Sequence, residues 1–111
     1  MALDMLSSYR VMWLLCMFDL PVVEAEQRHR AQKFREGLLD LGFEMTQFSV
    51  YTRHCTSETA PSWRARIKER VPVEGRVQVI TFTDAQFERM EIYYGGKKKP
   101  PAELPQQAMF W

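Results

Sequence analysis

Apolar runs and helical periodicities alternate in the order strand, helix, extended segment, helix, strand, which predicts an α+β domain built on an antiparallel sheet. Two further observations narrow the class. The extended segment over residues 43–55 is long for one strand and divides near Ser49, giving βαββαβ order. A chain of 111 residues that is 46% hydrophobic holds one packed core rather than two.

Residues 9–18 (YRVMWLLCMF) are apolar on both alternating faces, the pattern of a strand in the middle of a sheet. Asp19-Leu20-Pro21 ends it, because proline cannot donate to a ladder and biases Leu20 away from helix. A helix is expected over 24–41, with Ala31, Phe34, Leu38 and Leu41 at helical spacing. Glu24 and Glu26 suit its positive end, and Gly42 is the terminator. A second helix over 58–70 carries Pro61 in its first turn and a thin apolar side of Trp63 and Ile67. Residues 75–84 (GRVQVITFTD) read as a strand, 84–89 as a helical turn and 90–94 as an appended strand. Gly95-Gly96, Lys97 to Lys99 and Pro100-Pro101 open a tail without regular structure. The expected organisation is a leader over 1–8, a ferredoxin-like domain over 9–95 and a tail over 96–111.

Such a fold sets two helices on one sheet face and leaves the other bare. Phe48, Tyr51, Ile80 and Phe82 are too apolar to face water together, so a homodimer is expected. Net charge is +1, and any anion-binding surface must therefore come from local clustering. Two cysteines, Cys16 and Cys55, do not make a secreted disulfide framework. The apolar stretch Val11 to Phe18 falls well short of the roughly 20 residues that cross a bilayer, and it lacks a cleavage pattern. The expected location is cytoplasmic.

Several strings resemble the CRISPR-associated endoribonuclease family, the second universal CRISPR adaptation protein and the non-integrase subunit of the spacer-acquisition complex. They are Phe18-Asp19-Leu20-Pro21-Val22, then Phe34 with Leu38, then Gly42-Phe43 and Gln47-Phe48-Ser49-Val50-Tyr51. Arg76 to Thr83, Gln86-Phe87 and Met90-Glu91-Ile92 continue the match, which runs from about Tyr9 to Ile92. The FDLPV form is similar to members from type II systems. The resemblance implies a ferredoxin-like homodimer that bridges two integrase dimers around a protospacer duplex, with divalent-metal nuclease activity in some members.

Asp19 is the candidate for chemistry, at the end of a central strand. Magnesium takes hard oxygen ligands and often only one or two carboxylates, so Asp19 and a symmetry copy across a dimer axis would make a Mg2+ site. The bland alternative is that Asp19 caps the strand end. Arg28 and Arg30 are the expected backbone contacts near Asp19, since family members carry basic residues early in this helix. Arg64, Arg66, Lys68 and Arg70 form the densest basic run and suit a phosphate backbone read without regard to sequence, whether duplex DNA or single-stranded RNA. Gln47, Ser49 and Tyr51 are expected on one side of the extended segment, in a structural role. His54 and Cys55 are neighbours but point to opposite faces, so no nucleophile dyad is expected. Lys97, Lys98 and Lys99 with Phe110 and Trp111 are the candidate contacts to an integrase partner. The main reading is a structural DNA-binding subunit; the alternative is a magnesium-dependent endonuclease using paired Asp19. An RNA-recognition module is disfavoured, because the strand over 76–83 lacks its signature and Trp13 lies in an apolar string.

Overall fold

The structure, a computed structural model, describes residues 10–99. Four strands form an antiparallel sheet: β1 (Val11–Asp19), β2 (Glu44–Gln47), β3 (Val50–Thr56) and β4 (Arg76–Thr83), in the order β2-β3-β1-β4. Helices α1 (Ala25–Asp40) and α2 (Ala60–Lys68) cover one face. This is the ferredoxin-like α+β plan, with β1 central as its doubly apolar pattern requires. After β4 come a short helix α3 (Asp84–Glu88) and a separate two-stranded sheet of β5 (Ile92–Tyr94) and β6 (Lys97–Lys99).

The core lies between sheet and helices. Leu14 and Cys16 from β1, Tyr51 and Cys55 from β3, Phe34 and Leu38 from α1, and Ala60 and Ile67 from α2 are all buried there. Each fully buried large side chain contributes about 1.5–3 kcal/mol, so this one layer carries most of the fold. Phe18 meets Phe34 edge-on at 5.1 Å and Tyr51 at 5.7 Å, which ties the end of β1 to α1 and β3.

Local signals explain the boundaries. Gln27 Oε1 accepts from the Glu24 N–H at 2.9 Å, half of a reciprocal capping box that starts α1. At its other end Gly42 takes φ 86°, its N–H reaching Leu39 O at 2.9 Å while the Phe43 N–H reaches Leu38 O at 3.0 Å. That pair of bonds is a Schellman ending, and the left-handed residue it needs is the glycine. Thr83 and Gln86 form a second capping box that turns the chain from β4 directly into α3.

Four expectations change. Tyr51 sits in the core under α1 rather than on the open face, because the turn at Phe48-Ser49 resets the alternation. For the same reason Gln47, Ser49 and Tyr51 do not share a side: Ser49 is in a turn at φ 62°. Trp13 is not in a wholly apolar setting, since its Nε1–H donates to Asp84 Oδ1 at 2.7 Å while its ring stacks on Phe87 at 3.9 Å. Lys97 to Lys99 form a strand paired antiparallel with β5 across a Gly95-Gly96 turn, so regular structure continues beyond residue 95. The leader at 1–8 and the end of the tail lie outside the described residues. No helix among the described residues is long and apolar enough to cross a membrane.

Candidate functional site

Asp19 is the last residue of the central strand and is exposed. Pro21 stops β1 from extending, so the carboxylate is delivered at the sheet's end rather than within it. Its Cα partner on β4 is Arg76. The Asp19 side chain makes no hydrogen bond or ion pair with any described residue. Gly75, at φ 92°, brings the start of β4 against this corner, where an added Cβ would lie 2.8 Å from Asp19 O and 2.7 Å from Leu20 Cδ2.

Arg28 and Arg30 both come to this end, and both are engaged within the chain. Arg28 Nη1 donates to Val23 O at 2.7 Å and Val22 O at 3.3 Å, holding the loop that leaves Asp19. Arg30 Nη2 pairs with Glu74 Oε1 at 2.6 Å, and Gln27 Nε2 donates to Glu74 Oε2 at 3.1 Å. Glu74 thereby ties the first turns of α1 to the residue before Gly75.

The basic run on α2 is differently placed. Arg64 Nη1 donates to Thr81 Oγ1 at 3.0 Å, Arg70 Nη1 donates to Arg66 O at 2.8 Å, and none of Arg64, Arg66, Lys68 and Arg70 is in an ion pair with a described residue. Arg66 lies over the Trp63 ring at 4.7 Å, and Arg53 of β3 lies over the same ring at 3.8 Å. Arg53, half-buried with its Nε unpartnered among the described residues, and the exposed Arg76 are further cations not singled out in sequence. Arg53 was legible only from strand alternation, since it falls between the buried Tyr51 and Cys55. Arg76 was legible only once its pairing with Asp19 was known.

His54 and Cys55 do separate. His54 packs beside Trp13 at 5.6 Å on the open face, while Cys55 is buried under the helices. Burial pushes the Cys55 thiol up, against the opposing pull of Arg53 and Arg64. Cys16, wholly enclosed, is pushed up to about 12 and is inert packing. On the hairpin, Lys98 Nζ lies 3.6 Å from Glu91 Oε2. Phe110 and Trp111 lie outside the described residues.

Fold and strand end together define a small ferredoxin-like protein that exposes one acidic group beside an arginine. The chain belongs to the CRISPR associated protein Cas2 family, whose profile matches residues 12–90. The CRISPR-associated endoribonuclease Cas2 of Paracidovorax avenae is 43% identical over 104 residues, covering 93% of this chain and 96% of its own. Proteins of that same name from Parvibaculum lavamentivorans and Flavobacterium psychrophilum are 43% identical over 97 and 105 residues. These cover 86% and 94% of this chain, and 96% and 90% of their own lengths.

Magnesium fits this corner only as half a site. Among the described residues no group of three or more His, Cys, Asp or Glu side chains could hold a metal ion. At this corner Asp19 offers a hard oxygen donor set that is open to solvent and unpaired among the described residues.

Proposed function

We propose that this protein is a divalent-metal-dependent endoribonuclease whose complete site is made by two copies, each contributing Asp19. The observation that carries the reading is the Asp19 carboxylate, exposed at the end of the central strand and without a partner among the described residues. The name shared by the relatives weighs in the same direction, towards cleavage rather than a purely structural role. A bound Mg2+ would supply a water of lowered pKa and neutralise charge on the phosphate. The chain's own residues do the rest. Two Asp19 side chains supply the carboxylates, Arg76 offers a guanidinium at the same strand end, and the α2 arginines hold the flanking backbone.

A second reading is a bridging subunit that holds protospacer duplex beside a CRISPR integrase, with the partner performing the chemistry. Arg64, Arg66, Lys68 and Arg70 favour it, since four cations on α2 and the turn after it, without ion pairs among the described residues, suit phosphates of any sequence. The deciding experiment uses Asp19→Ala in the full chain, scored for Mg2+-dependent cleavage of single-stranded RNA and for spacer acquisition in cells. Loss of cleavage supports the nuclease. Cleavage equal to the parent's rules it out, and acquisition that survives Asp19→Ala supports the bridging role.

A further inference from the structure

We infer that Phe48 is a base-stacking residue, holding an unpaired nucleobase of a single-stranded RNA beside Asp19 while Arg76 takes the adjoining phosphate. The inference rests on the endoribonuclease reading above.

The geometry comes from strand register. The last β1–β3 pair is Met17 with Val50, and beyond it the Phe18 N–H donates to Ser49 O at 3.0 Å. Ser49 is thus opposite Phe18, and Phe48, the other turn residue, leads away toward β2 at the same end of the sheet as Asp19. On its other side Asp19 is paired with Arg76. The β2–β3 turn with its aromatic ring, the end of β1 with its carboxylate and the start of β4 with its guanidinium thus follow one another along one end of the sheet. With strands about 4.8 Å apart, the row spans roughly 10–15 Å, the scale of one or two nucleotides.

Phe48 is not there for the fold. It is 83% exposed at the tip of the β2–β3 turn and belongs to no part of the core. A tight turn asks for Asn, Asp or Gly, yet this one carries Phe-Ser. Ser49 is the sole non-glycine at positive φ among the described residues, a conformation that costs stability and gathers at functional sites. The turn is also rigid. Thr46 Oγ1 donates to Val50 O at 2.9 Å, and the neighbouring Phe18 is locked by the Phe34 and Tyr51 rings. A solvent-facing ring and, at the same sheet end, an arginine unpaired among the described residues are what single-strand recognition uses: stacking for the base, a cation for the phosphate. A duplex, its bases already stacked on one another, offers this ring nothing.

The test measures binding by the full chain in EDTA, using fluorescence anisotropy with a short single-stranded RNA carrying one 2-aminopurine, and a duplex of the same sequence. Phe48→Ala should weaken single-strand binding on the order of tenfold, abolish quenching of the 2-aminopurine and leave duplex binding unchanged. Phe48→Tyr should retain affinity and quenching. Arg76→Ala should lower the salt slope for the single strand by about one. Parental affinity and quenching in Phe48→Ala would overturn the inference, as would equal losses for strand and duplex. So would an altered sedimentation coefficient in Phe48→Ala, which would assign the ring to a contact between copies. Failure here is separable from failure of the nuclease reading. The binding assay contains no metal and reads no cleavage, whereas that reading stands or falls on cleavage by Asp19→Ala.

Discussion

Gly75→Ala should cost far more than its backbone conformation alone explains, and the chain contains its own control. Gly75 and Gly96 have nearly the same positive φ, 92° and 87°. A Cβ at Gly96 meets nothing within 4 Å; at Gly75 it would stand 2.7 Å from Leu20 Cδ2, 2.8 Å from Asp19 O and 3.0 Å from Leu20 Cα. Left-handed strain is common to both and amounts to about 1–2 kcal/mol. Two of the atoms met at Gly75 are backbone and cannot swing aside, so overpacking adds about 1–3 kcal/mol. The expected loss for Gly75→Ala is therefore about 2–5 kcal/mol. Gly96→Ala should lose about 1 kcal/mol or less, because a hairpin outside the main sheet can relax locally. Urea denaturation at one fixed protein concentration measures both. Folded Gly75→Ala protein should also lose Asp19-dependent activity, since the β1 exit must move to admit the methyl. Equal losses of stability in the two variants would refute the reasoning, leaving φ strain as the whole effect.

Three other outcomes follow from single contacts. Cys16 keeps its proton in the folded state up to about 12 against an ordinary value of 9.0, so its contribution is intact below pH 9.0 and falls as pH rises through that window. Tyr51 and Cys55, also raised by burial, act with the same sign, and Cys16→Ala should make the alkaline decline of stability shallower without removing it. Trp13→Phe should cost about 1–2 kcal/mol by urea denaturation, because the bond from Nε1 to Asp84 disappears and leaves a half-buried carboxylate oxygen without its donor. Reversing Arg64 and Arg66 to Glu should weaken duplex binding equally for unrelated sequences and flatten its salt dependence, measured by anisotropy across a salt series. A loss confined to one sequence would contradict backbone contact.

The parts of the fold that were legible in the sequence are those that local chemistry dictates. Leu20-Pro21 ends β1, Gly42 ends α1 by a left-handed residue, and Phe34 with Leu38 marks the buried stripe. What escaped depends on register. A single turn residue decides which face Tyr51 takes, and the string Gln47 to Tyr51 gives no sign that Ser49 adopts φ 62° instead of continuing the pleat. The polar bond of Trp13 was hidden for a similar reason: Asp84 lies 71 positions away, on a helix whose direction is set by the Thr83 capping box. Of the site, Asp19 was readable from its place before Leu20-Pro21. Phe48 and Arg76 were not, because only strand pairing puts residues 29 positions before and 28 after Phe48 beside the same carboxylate corner.

The corrected open face bears directly on where a second copy would sit. The original case for a cover counted Phe48, Tyr51, Ile80 and Phe82, but Tyr51 belongs to the core and Phe48 to the turn. Phe87 of α3 is buried against Trp13 and lies 5.8 Å from Phe82, so the chain itself covers the end of the sheet farthest from Asp19. The apolar side chains left open include Val11 at the far end, 45% exposed, and Ile80, 52% exposed, with its β1 partner Leu15 and the neighbouring Met17 and Val50. Beside them Leu15, Val50 and Thr52 line a groove of about 230 Å³ whose far wall is Ile92 and Tyr93. Leu15 and Ile80 lie at mid-sheet and Met17 and Val50 toward the Asp19 end. A copy seated over Met17 and Val50 with its two-fold axis near the end of β1 would bring the two strand ends, with their carboxylates, towards one another. Had α3 folded elsewhere, the whole sheet would be open and nothing would bias the contact towards Asp19; the Trp13–Asp84 bond and the Phe87 stack are what make the cover and the half-site part of one geometry.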